Sequence, residues 1–207
     1  QLDNDGNFEG EAANFPVAPS ALDNYPEILV PARSAPGGRL AQFQRHRIRL
    51  WTNYGLDFGA GGSLDLGLLY RYDSPRTYSL VSPSVPVSAV QLARDPGYAQ
   101  PPFFQDVFFD ARGSEEYESS HVFDLAAVFG LKLWPEVEPW LKLELRNLFN
   151  DDSLVAFETT VFPDLSGPVD ADGIPTRFVR GPNFGKARVP EDYVTPREVL
   201  VSLGVRF

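Results

Sequence analysis

VLVSLGVRF, residues 199–207, is the stretch that decides the fold, because its alternate residues form two unlike faces. The odd positions are all apolar and end on Phe207, whereas the even positions carry Leu200, Ser202, Gly204 and Arg206. A period of two indicates a β-strand with one apolar side. An aromatic residue at the strand end favours a transmembrane barrel, in which interfacial aromatics anchor the strands. An edge strand of a soluble sandwich is the alternative.

Composition and charge exclude several classes of protein. The chain has 207 residues, of which 43% are hydrophobic, so it is long enough to bury a core. Its net charge of −10 argues against nucleic acid as a partner, since a phosphate-binding surface needs clustered Lys and Arg. The absence of Cys excludes a disulfide framework and thiolate metal sites. No apolar run reaches the roughly 18 residues of a membrane-spanning helix.

Four earlier segments repeat the alternation of the last one. The predicted strands are about 43–58, 63–73, 118–133, 140–150 and 197–207. They are joined by the short turns 59–62 and 134–139 and by the long loops 1–41, 74–117 and 151–196. These strands are longer than the roughly 5–6 residues of an average globular strand and are at least as long as the roughly 9–11 residues that cross a bilayer at a tilt.

Loop lengths and aromatic positions favour the membrane interpretation over the soluble one. Outer-membrane barrels have short periplasmic turns, long extracellular loops and aromatic girdles at both interfaces. Aromatic residues lie near the ends of the predicted strands, at Tyr54, Phe58, Tyr70, Tyr72, Phe149 and Phe207. The sequence therefore predicts an all-β fold, an antiparallel transmembrane β-barrel segment of about five long strands.

Five strands do not complete such a barrel. Bacterial barrels have an even strand number, and an open edge in lipid leaves backbone groups unpaired at several kcal/mol each. We therefore expect a longer barrel, completed by preceding sequence or by a second chain. The start of the chain lacks a Met and the features of a signal peptide, which also predicts a processed protein or a piece of a longer one.

The face opposite the leucines carries most of the charge. Its residues are predicted to face the lumen: Arg47, Arg49, Asn53, Asp57, Asp65, Arg71, Asp124, Lys132, Lys142, Glu144, Arg146 and Arg206. There they would contact a plug or line a substrate path. The alternative for each is a solvated charge or one paired with a neighbour.

Two acidic turns suggest calcium, and nothing suggests a catalytic centre. Asp3 and Asp5 precede a glycine as in a calcium loop, and Asp170 and Asp172 precede Gly173 in the same way. Both motifs are incomplete, so solvated acidic turns are the alternative, and no other cofactor is expected. The chain has no nucleophile and base in a recognisable arrangement, which predicts that it is not an enzyme.

Four passages carry a family resemblance. They are FQRHRIRLW (43–51), GLLYRYDS (67–74), RNLFN (146–150) and the segment from PR (196–197) to LGVRF (203–207). On these residues the chain resembles the C-terminal barrel of TonB-dependent outer-membrane receptors, in particular the Oar-like branch, whose members carry a carboxypeptidase-regulatory-like N-terminal domain. The likeness covers roughly residues 43–73 and 118–207.

The resemblance implies a location and a function. It implies a barrel of about 22 strands with an N-terminal plug in the bacterial outer membrane, and import of an unidentified substrate with energy from the TonB system. Val201, Leu203, Val205 and Phe207 match the signal that the barrel assembly machinery recognises. The alternative is an outer-membrane surface binding or scaffold protein whose acidic loops dock a partner without active transport.

Overall fold

The computed structural model describes residues 28–94, 101–132 and 137–207, and its regular structure is predominantly antiparallel β. The described residues include two four-residue helices, α1 (Pro31–Ser34) and α2 (Ala89–Leu92). The long strands are β1 (Arg47–Asp57), β2 (Ser63–Asp73), β7 (Ser120–Gly130), β8 (Glu138–Arg146) and β11 (Glu198–Arg206). The short strands are β3 (Thr77–Tyr78), β4 (Val81–Pro86), β5 (Phe104–Phe108), β6 (Glu115–Glu116), β9 (Val161–Pro163) and β10 (Phe178–Arg180).

The five long strands form one antiparallel sheet in the order β1-β2-β7-β8-β11. The three short pairs are β3–β6, β4–β5 and β9–β10. All five predicted long strands are present, and β2 has the predicted bounds. The others are shorter: β1 begins at Arg47 rather than 43, and β8 ends at Arg146 because Asn147 has a φ of 51°. β7 runs from Ser120 to Gly130 rather than over 118–133, and the predicted last residue, Leu133, lies outside the described residues.

The turn between β1 and β2 needs glycine for steric reasons. Gly59 and Gly62 have φ values of 62° and 111°, a region that residues with a Cβ rarely adopt. A Cβ on Gly62 would stand only 2.0 Å from the carbonyl oxygen of Gly130, at the end of β7. The glycine run 59–62 therefore fixes a tight hairpin and lets the next strand pack against it.

Register aligns the leucine-rich positions of all five strands. One row runs Tyr54–Leu66–Ala127–Leu143–Val201, and the next runs Leu56–Leu64–Phe129–Leu141–Leu203. Directly paired residues point to the same side of a sheet. The strands thus share one continuous apolar face, as the alternation predicts.

That apolar face is open. Leu203 is 78% exposed, Val201 63% and Leu50 59%. An apolar sheet face in a soluble sandwich is covered by a second sheet about 10 Å away. The face therefore lacks the cover that the soluble alternative requires, within the residues that the structure describes.

The long connections contain more regular structure than their prediction as loops implies. The chain divides into two compact units. The first comprises Gln1–Pro36, Val81–Phe109 and Pro163–Val179, and its described residues surround Val85, Val107 and Ile174, with Val30 and Phe109 packed against them. Arg33 of this unit donates to Asp170 Oδ2 at 2.7 Å and to the carbonyl oxygens of Phe108 and Pro175.

The second unit comprises Gly37–Leu80, Asp110–Phe162 and Arg180–Phe207 and contains the five-stranded sheet. Its buried cluster is Tyr78, Tyr117 and Ala156, with Leu80, Phe157 and Phe184 packed against it. All of these residues lie in the connections between the long strands. Loop segments thus supply the buried clusters of both units.

Candidate functional site: the polar face of the sheet

The predicted lumen-facing residues share one face of the sheet. Register places all but Lys132 opposite the leucine rows, and Lys132 lies two residues beyond the end of β7. The pairs Asn53–Gly67 and Gly55–Asp65 show the arrangement, because small residues stand beside polar ones across β1 and β2. The sheet therefore has one leucine-rich face and one polar face.

Most charges on the polar face are paired with a neighbour. Arg71 Nη2 lies 2.8 Å from Asp124 Oδ2, and Arg49 Nη2 contacts both Asp73 carboxylate oxygens, at 2.8 and 2.9 Å. The other ion pairs are Arg47–Asp73 at 3.3 Å, Lys142–Glu144 at 3.1 Å, Arg146–Glu198 at 3.0 Å and Lys132–Asp57 at 3.7 Å. This is the arrangement expected from the alternative of mutually paired charges.

Asn53, Asp65 and Arg206 differ from these residues, because their side chains make no hydrogen bond or ion pair with the described part of the chain. A Cβ built on Gly67 would lie 3.0 Å from Asn53 Oδ1, and a Cβ built on Gly55 would lie 3.1 Å from Asp65 Oδ1. Each polar side chain therefore lies against the glycine that faces it on the neighbouring strand. The Asn53 amide and the Asp65 carboxylate thus extend over glycine backbone and keep their hydrogen-bonding capacity.

A groove of about 470 Å³ crosses the middle of the polar face. Its floor contains the small residues Gly67 and Ala126, and Trp51, Leu69 and Asn53 line it. Trp51 and Leu69 are direct partners across β1 and β2, and the Trp51 side chain is 75% exposed. Both residues break the sequence alternation. Pairing the two predicted strands of the hairpin around the turn 59–62 would have predicted from sequence alone that Trp51 and Leu69 lie side by side.

The Asn-Leu-Phe-Asn motif ties β8 to β11. Asn147 Nδ2 donates to the carbonyl oxygens of Asp151 at 2.9 Å and Thr195 at 2.8 Å, and its Oδ1 accepts from the backbone N–H of Asp151 at 2.8 Å. Asn150 Oδ1 accepts from the backbone N–H of Arg197 at 3.0 Å. Both asparagines have positive φ, at 51° and 55°, which Asn tolerates better than most residues. The motif therefore ends β8 and hydrogen-bonds it to the residues just before β11.

Aromatic rings gather on the apolar face at the long-loop end of the strands. The Phe123 ring centroid lies 4.6 Å from that of Tyr70 and 5.2 Å from that of Phe149. His121 lies beside them, with its ring centroid 4.8 Å from Tyr72 and its Nδ1 3.0 Å from the Tyr70 hydroxyl. Phe58, Phe129 and Phe207 lie at the opposite, short-turn end. Aromatic residues therefore border the leucine rows at both ends.

Asp151 holds the backbone at the long-loop end. Its carboxylate accepts from the backbone N–H of His121 at 2.7 Å and from the N–H and hydroxyl of Ser153, at 3.1 and 2.5 Å. Burial raises the pKa of this carboxyl, but the hydrogen bonds from Ser153 and His121 outweigh burial, so the pKa of Asp151 lies below its usual range. The carboxylate is the form that the fold stabilises.

The two calcium-like turns have different outcomes. Asp3 and Asp5 lie outside the described residues. Asp170 is paired with Arg33, and Asp172 Oδ1 lies 2.5 Å from Arg94 Nη1. Asp170 Oδ1 also accepts from the N–H groups of residues 172 and 174, at 3.0 and 2.9 Å. Across residues 28–94, 101–132 and 137–207, no group of three or more His, Asp or Glu side chains is placed to hold a metal ion.

The proposed assembly residues lie on the open face of β11. Val201 and Leu203 pair with Leu143 and Leu141 of β8, and Val205 pairs with Pro139. Phe207 follows the end of the strand and is 98% exposed. The alternate apolar residues of β11 are thus accessible along its length.

Comparisons with known proteins give no further identification: no family model, no curated protein and no solved structure matches the chain. In the described ranges, helices are too short and too polar to cross a membrane.

Proposed function

We propose that this chain forms part of the wall and the surface loops of a bacterial outer-membrane β-barrel, a TonB-dependent receptor that imports a substrate. The observation that carries the proposal is the continuous apolar face of the five-stranded sheet, which is exposed where a soluble protein would cover it. Lipid is the environment in which such a face is stable, with a polar face turned to the lumen.

The dimensions of the face support a bilayer as its environment. Ten residues of extended chain separate Ile48 from Phe58, which is roughly 33 Å at about 3.3 Å per residue. At a tilt of about 40° these residues cover about 25 Å of depth, the height of the apolar band of outer-membrane barrels. The aromatic residues at both ends then lie at the two interfaces.

The edges of the sheet support a larger barrel. β1 and β11 are its two outer strands, and neither has a second long-strand neighbour among the described residues. In lipid each unpaired backbone group costs several kcal/mol. Further strands, from the same chain or from another, would close the sheet. The RNLFN motif and the terminal aromatic strand, through their resemblance to the receptor family, are the basis for assigning TonB-dependent import.

Spin labelling tests the lipid-facing assignment directly. The sequence has no Cys, so single cysteines can be introduced at Leu141 and Leu203 of one face and at Lys142 and Ser202 of the other. In full-length protein reconstituted in vesicles, labels at 141 and 203 should collide with oxygen dissolved in lipid and be shielded from a water-soluble nickel complex. Labels at 142 and 202 should behave in the opposite way. Equal water accessibility at all four positions would contradict the proposal.

A surface binding or scaffold protein is the second candidate, and the folded loops favour it. The buried cluster around Val107 and the ion pair Arg33–Asp170 make the connections into a structured surface that a partner can recognise. Import requires energy from the TonB system, whereas docking does not. Substrate uptake that persists in cells without TonB, or surface binding with no uptake at all, would favour the second candidate.

A further inference from the structure

We propose that the groove beside Trp51 on the polar face is a binding site for a neutral oligosaccharide, an inference that rests on the proposed function by placing this face in the barrel lumen. The groove is concave, of the size of known ligand sites, and combines one large aromatic surface with few polar groups.

Trp51 supplies the aromatic surface. Its side chain is 75% exposed although Trp is a residue that proteins usually bury in large part. Its neighbour across the strands is Leu69, and the adjacent floor positions are Gly67 and Ala126, which have no bulk to cover the indole. One face of a sugar ring presents C–H groups, and this flat apolar face can stack on an indole.

Asn53 and Asp65 supply the polar contacts. A carboxamide both donates and accepts hydrogen bonds, and a carboxylate accepts them, so the two groups match the hydroxyls of a sugar. Neither side chain has a partner in the described part of the chain. A second depression, of about 370 Å³, includes Asn53, Gly55, Asp65 and Gly67, so the polar groups continue along the strands from Trp51.

Charge pairing selects a neutral ligand over an ionic one. Asp124, Glu144 and Arg146 line the groove, and each forms an ion pair with another protein residue at 2.8–3.1 Å. An anion would have to displace a carboxylate from its cationic partner, and a cation would find no unpaired carboxylate among the residues that line the groove. A chain of neutral sugars needs neither exchange.

Length favours several sugar units. Trp51 and Asp65 lie two rows apart on the face, because Asp65 pairs with Gly55. Four residues of strand separate these rows, which is roughly 13 Å. A single sugar ring is too short to reach both groups, whereas an oligosaccharide lying along the strands can contact the indole, Asn53 and Asp65 together.

The test is calorimetric titration of the full-length protein in detergent with a panel of neutral hexasaccharides. We expect at least one to bind, Trp51→Ala to raise its Kd by about tenfold or more, and Trp51→Phe to retain most of the affinity. Asn53→Ala should also weaken binding. Leu50→Ala, on the opposite face of the same strand, is the matched control and should leave the Kd unchanged.

Two outcomes overturn the inference. Either no hexasaccharide binds, or Trp51→Ala and Leu50→Ala bind the sugar equally. Because Trp51 is exposed, its truncation should leave the fold intact, which the heat-dependent gel mobility of the variant checks. The spin-label result is independent of sugar binding: if lipid exposure is found and binding is not, the groove assignment alone fails.

Discussion

The five-stranded sheet and the connections between its strands differ in where their apolar residues are most deeply buried. The sheet exposes its leucines and valines, with Leu203 at 78%. The connections expose some of theirs, such as Leu165 at 81%, but they also contain buried clusters, with Val107 and Val161 at 0% and Ile174 at 1%. Burial of apolar surface stabilises a protein in water by about 25 cal/mol per Å². The comparison teaches that the connections contain apolar clusters that water stabilises, whereas the sheet leaves an apolar face uncovered among the described residues.

The largest expected effect is the loss of packing in the buried cluster of the first unit. Ile174→Ala removes a buried side chain that packs with Val85 and Val107, so it should destabilise the first unit by about 2–5 kcal/mol. Amide hydrogen exchange in β4 and β5 measures this, and the exchange of the five long strands should not change. Leu165→Ala, at a position that is 81% exposed, is the control. Equal exchange in the two variants would contradict the assignment of this core.

A charged substitution on the apolar face of the sheet tests whether that face contacts lipid. Leu66 belongs to one of the leucine rows, so Leu66→Arg should weaken bilayer insertion by about 2–4 kcal/mol. Asp65→Ser, one residue away on the polar face, should cost much less. Denaturant titration of the full-length protein in lipid vesicles gives both values, and equal losses would be incompatible with the two-face assignment.

The link between the sheet and the connections depends on Asn147. Asn147→Ala leaves the carbonyl oxygens of Asp151 and Thr195 and the N–H of Asp151 without this partner, at a cost of about 1–3 kcal/mol. Asn147→Gly loses the same bonds but accommodates the φ of 51° more easily, so it should be less destabilising than the alanine variant. Thermal melts measure both, and an alanine variant as stable as the parent would mean that the side-chain bonds contribute nothing.

The smallest expected effect is on pH dependence. The pKa of Asp151 is lower in the folded protein, so this group contributes stability above its unfolded pKa of about 3.9, and the contribution is lost as the pH falls through the folded pKa. Amide exchange around His121 and Ser153 should therefore accelerate in acid. Asp151→Asn should flatten that dependence in these amides, and an unchanged acid dependence would assign it to other groups.

The sequence predicted the long strands well, because alternation is a local property. The hairpin of β1 and β2 follows from two alternating segments and the glycine run 59–62, and β2 has the predicted bounds. It did not predict the groove, since Trp51 and Leu69 look like isolated exceptions until the strands are paired. It did not predict the short strands in the connections either, because segments such as Thr77–Tyr78 are too short to show a period.

The amino-acid sequence by itself determined which residues share each face of the long strands, because side chains in extended chain alternate with a period of two. The tertiary structure decided which distant groups meet. Asp170 offers a carboxylate that calcium could bind, but the fold brings Arg33, 137 residues away in sequence, to within 2.7 Å of it. Contacts between residues so far apart in sequence depend on the fold of the whole chain, so no local sequence pattern could have predicted them.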